Sequence, residues 1–171
     1  ATGNAYGLEK PDREIVSLGE ALPRVADTLL YIGTDVRYKA AEYAVDAAAV
    51  LKKAGIDFTI LGDEPDSGAA LDFLVGEADE TKKAAEKCAK AISGYKKVIV
   101  LDPADAKMMK HEYKEWGIAP DCEIVTFTSL AASLINDDVL QVKNIGVPAT
   151  YQDSFALVRD LDEVEEPRVI M

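Results

Sequence analysis

The sequence is poor in the residues that bind transition metals. It carries two cysteines, Cys88 and Cys122, and one histidine, His111, in 171 residues. The cysteines lie 34 positions apart, a spacing that matches no usual metal-ligand pattern. One histidine and two distant thiols cannot build a His/Cys site. Cys88 falls inside a helical pattern, Lys87-Cys88-Ala89-Lys90, and Cys122 precedes the apolar pair Ile124-Val125. Each reads as a lone buried thiol. Long apolar runs are missing too. A stretch such as Ala47–Leu51 is far short of the ~20 residues that span a bilayer. No charged start leads into an apolar signal core. No Gly-x-Gly-x-x-Gly loop is present, which removes the usual dinucleotide cradle. Basic residues are outnumbered, with 19 Lys and Arg against 31 Asp and Glu and a formal net charge of −12. Such a chain repels phosphate backbones, so nucleic acid is excluded as a partner. The charge serves solubility, and some of it can form a docking face for a basic partner.

What is present is globular: 49% apolar and 29% charged residues. The length suits one α/β domain with a real core. The expected setting is cytoplasmic, with membrane association through partner subunits left open. The chain starts without Met and ends soon after Pro167-Arg168, so a segment of a longer protein is expected.

Residues 1–25 read as a polar arm with one short helix near Asp12–Leu22. Thr28–Ile32, Asp57–Leu61, Lys97–Leu101 and Glu123–Phe127 are short apolar runs of the kind that form strands buried on both faces. Gly146–Tyr151 is a fifth candidate. Between them lie helical patterns at Val36–Ala54, Ala69–Val75, Glu77–Ser93 and from Asp102-Pro103 to Trp116. Asp102 is the N-cap of the last of these and Pro103 its first residue. Thr128-Ser129 is expected to cap a helix through Ile135. Strands alternating with helices predict a Rossmann-like parallel sheet with helices on both faces. Ligands of such sheets gather beyond the carboxyl ends of the strands.

Three loops begin at those ends: Gly33-Thr34-Asp35, Glu64-Pro65-Asp66-Ser67-Gly68 and Asp102-Pro103-Ala104-Asp105. Thirty-one residues separate Thr34 from Asp66, thirty-four separate Ser67 from Asp102, and two separate Asp102 from Asp105. This ordered set resembles the cysteine-rich CCG domain of heterodisulfide reductase and of glycolate-, lactate- and glycerol-3-phosphate-oxidising iron–sulfur proteins. Tyr31-Ile32-Gly33-Thr34 is similar to that family's Tyr/Phe-x-Gly-Cys. Leu61–Gly68 is similar to Leu-Gly-x-Glu-x-Cys-Cys-Gly, and Asp102–Asp105 to Cys-Pro-x-Cys. Leu51–Asp57 resembles the family's helix-to-strand turn, and Tyr113–Gly117 its helix end. Tyr151–Arg159 resembles Tyr-His-Asp-Pro-Cys-His-Leu-x-Arg, and Glu166-Pro167-Arg168 the Glu-Pro-Arg that follows.

The resemblance implies three segments. Residues 1–25 form an arm, 26–145 a degenerate CCG-type domain, and 146–171 the start of a second, truncated repeat. It implies a parent oxidoreductase that passes electrons to or from a flavin, quinone or disulfide couple. The implied partners are the second repeat of the same chain and a flavoprotein or membrane subunit. The implied ligand positions, however, read Thr34, Asp66, Ser67, Asp102 and Asp105, with Phe155 in the second repeat. Iron–sulfur clusters are held by thiolates, so hydroxyls and carboxylates here imply a cluster-free, non-catalytic half, the parent's cluster lying elsewhere. Two other readings stand beside this one. Asp66, Asp102 and Asp105 can converge to bind Mg²⁺ or Ca²⁺ in a non-redox module. They can also be a helix cap, a first-turn acid and turn chemistry. Ser67 has no base near it in sequence, His111 belongs to a solvated helix face, and Tyr113 and Trp116 are packing residues.

Overall fold

The computed structural model describes residues 6–143 and 146–171. The first five residues of the expected arm, and residue 145 at the expected domain boundary, lie outside the described residues. The sheet has three parallel strands in the order β1-β2-β3: β1 (Thr28–Tyr31), β2 (Lys97–Val100) and β3 (Glu123–Thr126). Thr28 pairs with Lys97, and Lys97 with Glu123, so the carboxyl ends of all three strands finish level. Alternate side chains leave each strand on opposite faces. Leu30 and Ile99, with Ile32, enter one core, whereas Leu29, Tyr31, Val98 and Val100 enter another. The continuous apolar runs of β1 and β2 follow from burial on both faces.

The first core is covered by α1 (Arg13–Ala21) and α3 (Ala41–Lys53). Asp12 caps α1 by accepting from the Glu14 amide. The buried stripe of α3 is Ala41, Ala44, Ala47, Ala48 and Leu51. Small residues let this helix lie close to the sheet. The second core is covered by α5 (Asp79–Ile92) and by the helical rod after β2. That rod comprises α6 (Pro103–Lys107), one π turn (Met108–Glu112) and α7 (Tyr113–Glu115). Its cap is the expected one: Asp102 accepts from the Ala104 amide, with Pro103 at the first helical position. The π turn had no sequence signal. Cys88 is fully buried in this core, where burial pushes its thiol up to about 12; Cys122 is half-buried and also free.

Several elements differ from expectation. Val36–Ala54 is two helices, α2 (Thr34–Lys39) and α3, bent at Ala40 with no glycine or proline to mark the break. Asp57–Leu61 is not a full strand. Only Thr59 bridges to Leu29 of β1, because the Leu61 and Gly62 carbonyls go instead to the buried guanidinium of Arg37. Gly146–Tyr151 has no regular structure; all six residues are exposed, so no apolar face draws them into a ladder, and Pro148 lacks an N–H. The cap of α8 (Phe127–Asn136) is Thr126, whose hydroxyl accepts from the Ser129 amide, rather than Thr128-Ser129. The segment after residue 146 folds back: α9 (Glu166–Ile170) packs on α8, and Glu163 accepts a hydrogen bond from Thr126 at 2.5 Å. Among the described residues, no helix is long and apolar enough to cross a membrane.

Candidate functional site

The Thr59 bridge flanks β1 on one side and β2 on the other, so connections leave β1 and β2 in opposite directions. Their carboxyl ends therefore open a crevice, the usual ligand position in such sheets. All three loops meet there. Thr34, Asp66, Asp102 and Asp105 line a cavity of about 240 Å³, together with Asp35 and Phe73. Ser67 sits beneath it, fully buried. Five positions spread over more than seventy residues of sequence thus converge at one end of the sheet.

Their polar atoms are engaged with one another. The Thr34 hydroxyl donates to Asp66 at 2.7 Å, and the other Asp66 oxygen accepts from the Gly68 amide at 2.8 Å. The Ser67 hydroxyl donates to Asp105 and accepts from the Ala69 amide. Asp102 is occupied by its helix cap. Asp105 is buried, and desolvation together with the negative charges of Asp102, Asp66 and Glu64 raises its pKa well above the ordinary carboxylate range. The Ser67 hydroxyl holds it in place. The side chains make two hydrogen-bonded pairs, Thr34 with Asp66 and Ser67 with Asp105, beside the capping Asp102, and all five offer hard oxygens rather than soft thiolates. Among the described residues, no group of three His, Cys, Asp or Glu side chains is arranged to hold a metal ion. Phe155 stands apart. It is exposed, lines a neighbouring cavity with Phe73 and Ala104, and has the Arg159 guanidinium over its ring at 4.7 Å.

The loop frame is built by residues outside the five converging positions. Glu64 accepts from the Ile32 and Gly33 amides, both at 2.9 Å, closing the end of β1. Its burial raises its pKa from 4.5 to about 7, against the lowering effect of those two amides and of Arg37. From below, the Tyr31 phenol donates to the Pro65 carbonyl at 2.7 Å and the Tyr113 phenol to the Ser67 carbonyl at 2.8 Å. Tyr113 is thus a packing residue, as expected, with a second task at its tip. His111 is exposed, as expected of a solvated helix face. The one available signal for Glu64 was its place in the Leu-Gly-x-Glu pattern. Arg37 had none. Tyr113→Phe removes a buried donor and leaves the Ser67 carbonyl unpaired, so it is expected to cost about 1–2 kcal/mol in urea unfolding. Circular dichroism on the two proteins checks this, and an unchanged midpoint would contradict it.

No family model matches the chain, and no solved structure matches it. Among curated proteins, it is 25% identical over 186 aligned positions to the probable iron-sulfur-binding oxidoreductase FadF of Bacillus subtilis (strain 168). That alignment covers 99% of this chain and 26% of the relative. It is 29% identical over 170 positions to the EtfAB:quinone oxidoreductase of Syntrophomonas wolfei, covering 95% of this chain and 23% of the relative. Both relatives are oxidoreductases. The chain spans about a quarter of the length of each.

Proposed function

We propose that this chain is a segment of an iron–sulfur oxidoreductase or electron-transfer subunit, and that this segment is structural and holds no cluster itself. On this reading residues 26–145 are a degenerate CCG-type repeat and 146–171 begin the next one. The parent's cluster is held in an intact cysteine-rich repeat outside the segment, and its partners are further redox subunits, a flavoprotein or membrane subunit among them. The observation that carries the reading is the convergence of Thr34, Asp66, Ser67, Asp102 and Asp105 at one sheet edge, Thr34 bonded to Asp66, Ser67 to Asp105, and Asp102 to the Ala104 amide. The position is that of a ligand site, and the chemistry is not that of a thiolate cage. The resemblance and the oxidoreductase relatives support the redox setting.

Anaerobic reconstitution of the chain with ferrous iron and sulfide tests the cluster-free half. No stoichiometric visible absorbance is expected. The same treatment of a variant carrying T34C, D66C, S67C, D102C and D105C together is expected to produce it. A stoichiometric cluster in the unaltered chain would overturn the reading. A parent protein without Cys-Cys-Gly and Cys-x-x-Cys elsewhere would overturn its redox setting.

A further inference from the structure

The helix α4 (Ala69–Val75) is anomalous among the helices of this chain. None of its residues is buried, although its sequence is Ala-Ala-Leu-Asp-Phe-Leu-Val. Phe73 is 88% exposed, Leu74 74% and Val75 61%, and nearby Phe155 is 64% exposed. Scattered apolar residues on a surface need no explanation, but two exposed phenylalanines lining one cavity, with exposed Leu74 and Val75 following Phe73, form a patch. Phe73 is also the wall between two concavities: the acidic cavity of about 240 Å³ and a second of about 310 Å³ that Phe155 lines.

The charge beside the patch has one sign where it is unpaired. The first cavity is lined by Asp35, Asp66, Asp102 and Asp105 and by no lysine or arginine. The cations near the second are already engaged. Lys107 lies 2.6 Å from Glu112 and 3.6 Å from Asp72, and Arg159 stacks on Phe155. Anionic lipid and nucleic acid are repelled by such a rim. A second copy of this chain would bring the same carboxylates face to face across a two-fold interface. A cationic partner satisfies both features.

We propose that Phe73, Leu74, Val75 and Phe155 form the docking surface for a protein segment that presents a lysine or arginine beside an aliphatic or aromatic side chain. The cation enters the cavity of Asp35, Asp66 and Asp102, and the apolar residue covers Phe73 toward Phe155. This assignment stands whether or not the parent protein carries a cluster.

The test is panning of a random-peptide phage library against the chain, followed by fluorescence-anisotropy titration of the enriched peptides as synthetic probes. Enriched peptides are expected to share a basic residue next to an apolar one. Their affinity should fall at least tenfold for Phe73→Ser, a change at a site exposed enough to leave the fold intact. It should also fall severalfold for Asp102→Asn, which keeps a competent helix cap, and should fall as salt rises. Peptides without basic residues, or binding unchanged in Phe73→Ser, would overturn the proposal. So would a dimer in sedimentation that Phe73→Ser dissolves, or binding of anionic phosphatidylserine vesicles through this face.

Discussion

Gly33→Ala is expected to destabilise the domain by about 3 kcal/mol, because two separate penalties fall on one residue. Gly33 has φ +85° and ψ 156°, a region that only glycine occupies without strain. A side chain there also has nowhere to go: its Cβ would stand 2.6 Å from an Asp105 oxygen, held in place by Ser67. Gly55 separates the two penalties. Its φ is +72°, but a Cβ there meets nothing within 4 Å. Gly55→Ala should therefore show the backbone cost alone, about 1 kcal/mol. Urea unfolding followed by circular dichroism measures both variants. Equal losses at the two positions would refute the crowding of Gly33 against Asp105.

The second large effect concerns pH. Glu64 has its folded pKa raised from 4.5 to about 7, chiefly by burial. A carboxyl with a raised folded pKa holds its proton more tightly in the native state than in the unfolded one. Below pH 4.5 it is protonated in both states and costs nothing. As pH rises toward 7, the unfolded state ionises freely while the native state resists, and stability falls. Glu64 alone should remove on the order of 3 kcal/mol between pH 4.5 and pH 7.5. The buried Asp105, also raised, acts in the same direction. These two groups thereby oppose the usual acid denaturation of carboxylate-rich proteins over this window. Glu64→Gln cannot ionise and keeps one acceptor for the Ile32 and Gly33 amides. Its unfolding free energy should be lower than that of the unaltered chain at pH 5 and should change far less on going to pH 7.5. An undiminished pH slope in Glu64→Gln would place the effect elsewhere, in the general repulsion of a chain with net charge −12.

Much of the frame could be read from local pattern. The runs at β1, β2 and β3, the Asp102-Pro103 start of α6 and the bounds of α4 each rest on signals within a few residues. The convergence of Thr34, Asp66, Ser67, Asp102 and Asp105 followed from topology, since loops after parallel strands share one edge. What escaped was decided by long-range partners. Asp57–Leu61 has strand composition, yet Arg37, more than twenty residues away in sequence, takes its terminal carbonyls. Glu64 and the phenols of Tyr31 and Tyr113 act on backbone groups over thirty residues distant. Gly146–Tyr151 has strand residues, yet all six are exposed and without regular structure. Side-chain to backbone bonds of this kind leave no periodicity in a sequence.

The loop that carries Asp66 and Ser67 is also suspended by groups outside the five converging positions. Tyr31 and Tyr113 fix its carbonyls from the core, and Glu64 at its start grips the end of β1. The shape of the crevice therefore has supports besides the side chains its rim displays. A change at one rim residue would thus leave the loop still tethered to the core at three points outside the rim.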